Sequence, residues 1–149
     1  VFEMERDPAI VELDRFVPCT PAVVWRALTE PEIVEQWLVR SVGLRPQEGT
    51  TFILEIPSHP PGEVSCEVSA AVPGERFTHS YTDLRAARPT RWVVDWLLVP
   101  EGKGTRVVMT MSGFDSGDRQ QMFARNAAER GYRNTLIPKL ADAAIALDN

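Results

Sequence analysis

Thr20-Pro21-Ala22-Val23-Val24-Trp25-Arg26-Ala27-Leu28-Thr29-Glu30-Pro31-Glu32, running on to Trp37, starts two short helices in quick succession. Thr20 is placed to cap a free backbone N–H, and Pro21 stands where a missing N–H costs nothing. Thr29 repeats the arrangement for a second helix, whose first turn holds Glu30, Pro31 and Glu32. Those acids suit the positive end of the helix dipole. Val24, Trp25 and Leu28 share one apolar face, and Ile33, Val34 and Trp37 share the next.

Outward from this pair the periodicity is that of strands. Residues 10–16 alternate Val11 and Leu13 against Glu12 and Asp14, which predicts a first strand. Beyond Trp37, strands are expected over 39–45 (a weak one), 50–56, 63–72, 75–82, 91–99 and 105–113. Pro57-Ser58-His59-Pro60-Pro61-Gly62, Pro73-Gly74 and Pro100-Glu101-Gly102-Lys103-Gly104 carry turn chemistry between them. Short connections of this kind predict an antiparallel meander. The segment Asp83 to Thr90 has few apolar anchors and is expected to be mobile. From about Ser116 to Leu147 the period becomes helical, with Asp115 or Ser116 as cap and Tyr132, Leu136, Leu140, Ala144 and Leu147 as an apolar stripe. Pro138 removes one helical hydrogen bond, so a kink is predicted near Asn134–Leu136. The fold class is therefore α+β, about seven antiparallel strands curled around a long C-terminal helix.

The order of landmarks along the chain resembles a known family. Arg15-Phe16-Val17-Pro18-Cys19-Thr20-Pro21 with Val24-Trp25, and Thr29-Glu30-Pro31-Glu32 with Trp37, are similar to the opening strand and helices of the START-like (SRPBCC, helix-grip, Bet v 1-like) superfamily. Within it, the activator of Hsp90 ATPase homologue family (AHSA1-like) is the nearest resemblance. Val72-Pro73-Gly74-Glu75-Arg76-Phe77, Gly104-Thr105-Arg106-Val107, Ser112-Gly113-Phe114 and Gly131-Tyr132 match its later landmarks in order. Met111 stands where many members resemble a Thr-His-Ser-Gly-Phe run, so a role given to that histidine does not carry over. The resemblance implies a helix-grip fold whose relatives bind lipids, polyketides, hormones or antibiotics.

With 149 residues, 44% hydrophobic and 25% charged, the chain has the size and composition of one domain over 1–149, with 1–8 as a flexible N-terminal segment. Met4, behind Val1-Phe2-Glu3, is a candidate natural start. The net charge of −5 and scattered basic residues argue against nucleic acid and anionic membrane surfaces as partners. No apolar run approaches the roughly 18 residues of a membrane span, and no signal-peptide pattern is visible. Cys19 and Cys66 form no metal-binding spacing and read as reduced, semi-buried thiols of a cytoplasmic protein. No metal or cofactor is expected.

Strand parity assigns one face to Phe52, Leu54, Ile56, Val64, Cys66 and Val68, and continues it through Phe77, His79, Tyr81, Trp92, Trp96 and Leu98. Val107, Met109 and Met111 complete it. The opposite face, with Ser65, Glu67, Ser80, Asp95 and Thr110, is expected to meet water. Seven strands at about 4.8 Å spacing exceed 30 Å, whereas one helix is about 10–12 Å across. The sheet must curl, and side chains or a ligand must fill what remains. Candidate ligand-binding walls are Trp37, Phe52, Leu54, Phe77, His79 and Tyr81. Trp92, Trp96, Met109 and Met111 extend them, under a roof of the small residues Ala124, Ala128 and Gly131. The tryptophans serve equally as core packing. Motifs for nucleophilic, metal or phosphate chemistry are missing. His79 reads either as an acid–base group or as a hydrogen-bonded core histidine, with Tyr81 and Asp83 as its companions in the first reading. Three functions remain open: binding of a small hydrophobic or aromatic ligand, aromatase/cyclase-like catalysis on a polyketide, and stimulation of a chaperone ATPase through protein binding.

Overall fold

The structure, a computed structural model, describes residues 7–149. Met4 and most of the segment 1–8 expected to be flexible lie outside the described residues. Strand β1 (Val11–Val17) is followed by helices α1 (Pro21–Thr29) and α2 (Pro31–Trp37). Then come β2 (Ser41–Val42), β3 (Thr51–Ile56), β4 (Gly62–Val72), β5 (Arg76–Asp83), β6 (Trp92–Glu101) and β7 (Gly104–Ser112). The chain ends in α3 (Arg119–Gly131), one π-helical turn (Tyr132–Leu136) and α4 (Ile137–Asp148). All pairings are antiparallel, in the order β1-β7-β6-β5-β4-β3-β2. This is the expected α+β helix-grip architecture. Among the described residues no helix is long and apolar enough to cross a membrane.

The two early helices form as predicted, but their caps differ. Thr20 occupies the N-cap position of α1 without a side-chain bond; its carbonyl accepts from the Val23 and Val24 N–H groups, both at 3.1 Å. Thr29 is the last residue of α1, and its hydroxyl donates back to the Trp25 carbonyl at 2.7 Å. Glu30 is the junction instead. Its N–H donates to Arg26 O, and its carbonyl accepts from Ile33 and Val34. The cause is Pro31, which forces the residue before it out of the helical region; Glu30 has φ −84° and ψ 119°.

Parity holds across the sheet. Val64, Cys66, Val68, Phe77, Val94, Trp96, Leu98, Val107, Met109 and Met111 are all buried. A bulge between Val68 and Ala70 in β4 resets the alternation, so that Ala71 faces Phe77 across the ladder and packs on the core. Expectations for the outer face need correcting: of the five residues named there only Glu67 is exposed, and Ser65 and Thr110 are half-buried. Ser80 is buried, because its hydroxyl accepts the Glu67 N–H. Asp95 is half-buried, because it accepts from the Thr78 hydroxyl and pairs with Arg76 at 3.2 Å.

The last helix has two unlike halves. In α4, Ile137, Leu140, Ala141, Ala143 and Ala144 are buried, and the helix packs against α1, α2 and β1. No residue of α3 is buried. Between them the Ile137 N–H reaches back five residues to Tyr132 O, so the interruption expected from Pro138 takes the form of a π-turn. Asp118 caps α3, accepting from Gln120 and Gln121. The helix therefore starts three residues later than Ser116, the predicted start.

Candidate ligand-binding site

The concave face carries a connected set of aromatic rings. Trp37 and Trp96 meet edge to face at 5.7 Å, and Trp96 meets Tyr132 at 6.1 Å. Phe52 stacks on Phe77 at 6.4 Å, and His79 contacts both, at 5.2 and 5.5 Å. Trp37 is fixed by α1, since its indole N–H donates to the Ala27 carbonyl at 2.7 Å. These rings fill the space that sheet width alone left open. Among them lies a small void of about 20 Å³ bordered by Trp37, Phe52, Leu54, Phe77, His79 and Trp96. That is room for about one water. Leu28, Val34, Leu38 and Leu44 complete its wall. They are ordinary core positions in sequence, with nothing to set them apart.

A second, much larger space lies at the other end of the aromatic wall. A cleft of about 630 Å³ separates the start of α3 from the segment joining β5 to β6. Trp92 and Ala124 line it together with Ala86, Arg88, Pro89 and Gln121. Trp92 is held from behind by Tyr81, stacked at 6.2 Å, and by Phe114 at 4.6 Å, and its indole N–H points to Gln121 Oε1 at 3.4 Å. The connecting segment was expected to be mobile, yet its start is anchored. Arg85 donates to both Asp83 oxygens and to Ser58 Oγ at 2.8–3.0 Å, and its side chain crosses over Gly62.

The thirteen wall and roof residues thus do not share one cavity. Six gather around the small void, and Trp92 and Ala124 line the cleft. Tyr81 backs Trp92, while Met109 and Met111 are 0% and 2% exposed within the core. Ala128 is half-buried against the core, and neither it nor Gly131 is among the residues that border the void or the cleft. The physical reason is the size of Trp37, Trp96 and Tyr132, which close the interior before the small helix residues are reached.

The titratable groups of the interior are neutral at pH 7. Burial pulls His79 down to about 4, against the opposing pull of the Ser80 carbonyl 2.8 Å from Nδ1. That contact assigns the proton to Nδ1 and leaves Nε2 as an acceptor. Burial pushes Tyr81 and the Cys66 thiol up to about 12, and raises Tyr132 as well. Asp83 is held below the usual carboxylate range by its hydrogen bonds to Arg85. His79, Tyr81 and Asp83 occupy one strand face, but Asp83 is already chelated by Arg85.

Comparison with known proteins agrees with this architecture. The protein MLL2253 from Mesorhizobium loti superposes with a TM-score of 0.81 at 28% identity, over 94% of this chain and 99% of that one. DynU16, from the dynemicin biosynthetic locus, gives 0.74 at 19% identity, over 90% of this chain and 46% of its own. CalU16 from Micromonospora echinospora gives 0.70 at 20%, over 91% and 75%. No functionally curated protein matches in sequence. Residues 18–143 match the family described as Activator of Hsp90 ATPase homolog 1-like protein, and with most of its length inside that match the chain belongs to this family.

Proposed function

We propose that this protein binds a small, hydrophobic, aromatic-bodied ligand in the cleft between α3 and the β5–β6 connection. The observation that carries the reading is the half-buried Trp92 on the wall of a space of about 630 Å³. Small-molecule sites span about 300–1,000 Å³ and favour aromatic walls. An α3 without buried residues supports the same reading, because it can adjust to a guest without opening the core. The buried free thiols of Cys19 and Cys66 favour a reducing, cytoplasmic setting for this activity. DynU16, a relative in fold, comes from a biosynthetic locus, which is a setting in keeping with a small-molecule ligand.

The test is titration with the neutral naphthalene dye prodan, read by its emission and by energy transfer from tryptophan. Wild type is expected to bind it, and Ala124→Trp, which fills the cleft from α3, is expected to abolish binding while leaving the thermal transition in place. If a folded wild type takes up neither prodan nor its charged naphthalene analogues, the cleft is not a binding site.

A further inference from the structure

The polar groups around the cleft are unevenly committed. Asp118 Oδ1 already accepts from the N–H groups of Gln120 at 2.9 Å and Gln121 at 3.2 Å. Gln121 Oε1 accepts from the Asp115 N–H at 2.8 Å and from the Trp92 indole at 3.4 Å. Two of the acceptors facing the cleft are therefore engaged inside the protein. The donors are not. Gln121 keeps both amide N–H bonds, and Arg88 offers five. Among the described residues Arg88 takes part in no ion pair, unlike its neighbours Arg85 and Arg91, which pair with Asp83 and Glu67. Thr90 and Gln120, the remaining polar lining, donate as readily as they accept. The negative charge of Asp118 is partly offset by the N-terminal N–H groups of α3 that its Oδ1 caps, while its Oδ2 makes no hydrogen bond among the described residues.

We infer that the ligand of this cleft is an aromatic acid, its ring system against Trp92 and its carboxylate held by Arg88 and the Gln121 amide. This rests on the ligand-binding reading above and narrows it to one chemical class. A cation free of internal partners, lining the same cleft as an indole, matches a carboxylate on a flat apolar body. Guanidinium binds carboxylate through two parallel N–H bonds, a geometry that an ester or alcohol does not reproduce.

The experiment compares 2-naphthoate with its methyl ester, by calorimetry at low and at 0.5 M salt, on wild type, Arg88→Gln and Ala124→Trp. Wild type is expected to bind the acid about tenfold more tightly than the ester at low salt, with the gap narrowing at high salt. Arg88→Gln, on an exposed connection, is expected to bring acid and ester to the same affinity, and Ala124→Trp to remove both. Equal affinities for acid and ester in wild type overturn the inference and leave the binding reading intact. So does a preference for the acid that survives Arg88→Gln. Acid binding untouched by Ala124→Trp places the site outside the cleft and overturns both readings. If neither probe binds wild type at all, the cleft reading falls and this inference falls with it.

Discussion

Gly62 lies directly beneath the side chain of Arg85: a Cβ at residue 62 would overlap Arg85 Cδ, Nε and Cζ. The guanidinium can hold Asp83 and Ser58 together only because residue 62 has no side chain. Gly62→Ala is expected to eject Arg85 into solvent, since the far end of a flexible side chain moves more easily than the β4 backbone. The stability cost should stay under about 1 kcal/mol, as for other exposed ion pairs. Hydrogen exchange should accelerate in residues 84–90 and not in β4. Unchanged exchange there would mean that the connection is held by something other than Arg85.

Trp96→Ala removes the ring that joins Trp37 to Tyr132. Trp96 is 3% exposed and borders a void of only about 20 Å³, so the side chain contributes nearly full packing. A loss of about 3–5 kcal/mol is expected in denaturant unfolding. A loss below about 2 kcal/mol would show that the neighbouring rings collapse into the gap.

His79 gives the fold an acid-sensitive slope. Its folded value is pulled down to about 4 from the ordinary 6.5 by burial, with the Ser80 carbonyl opposing. The unfolded chain therefore binds the proton first as pH falls, and stability is complete above about pH 6.5 and declines toward pH 4. The size is on the order of 3 kcal/mol, at about 1.4 kcal/mol per unit. His79→Leu should flatten that part of the stability profile. A mutant profile parallel to wild type between pH 6.5 and 4 would place the proton elsewhere.

Thr105 is fully buried, and its hydroxyl donates to the Cys19 carbonyl at 2.7 Å, tying β7 to the bend between β1 and α1. Thr105→Val keeps the shape and removes the donor. The expected cost is about 1–3 kcal/mol, typical of a buried group left unpaired. Thr105→Ser, which restores a donor, should recover part of it.

Strand positions and faces were legible because buried and exposed positions alternate with period two, as in Val64, Cys66 and Val68. The helix caps were less so. Residue type nominated Thr29, but the conformation imposed by Pro31 selected Glu30. Sheet width correctly required a curl, yet width measures area and not the volume of Trp37, Trp96 and Tyr132, which occupy the interior. Trp92 and Ala124 were found by parity and by size. Arg88, Pro89 and Gln121 were not, since an irregular connection and a helix start have no period to betray which way they face.

The π-turn at Tyr132–Leu136 divides one helix into parts under different hereditary constraint. Substitutions at the five buried residues of α4, which packs on α1 and α2, cost the fold its core contacts. Substitutions in α3 strike no buried residue. Lineages can therefore rewrite the rim of the cleft, residue by residue, on a scaffold that stays intact, and ligand preference can diverge faster than the fold that carries it.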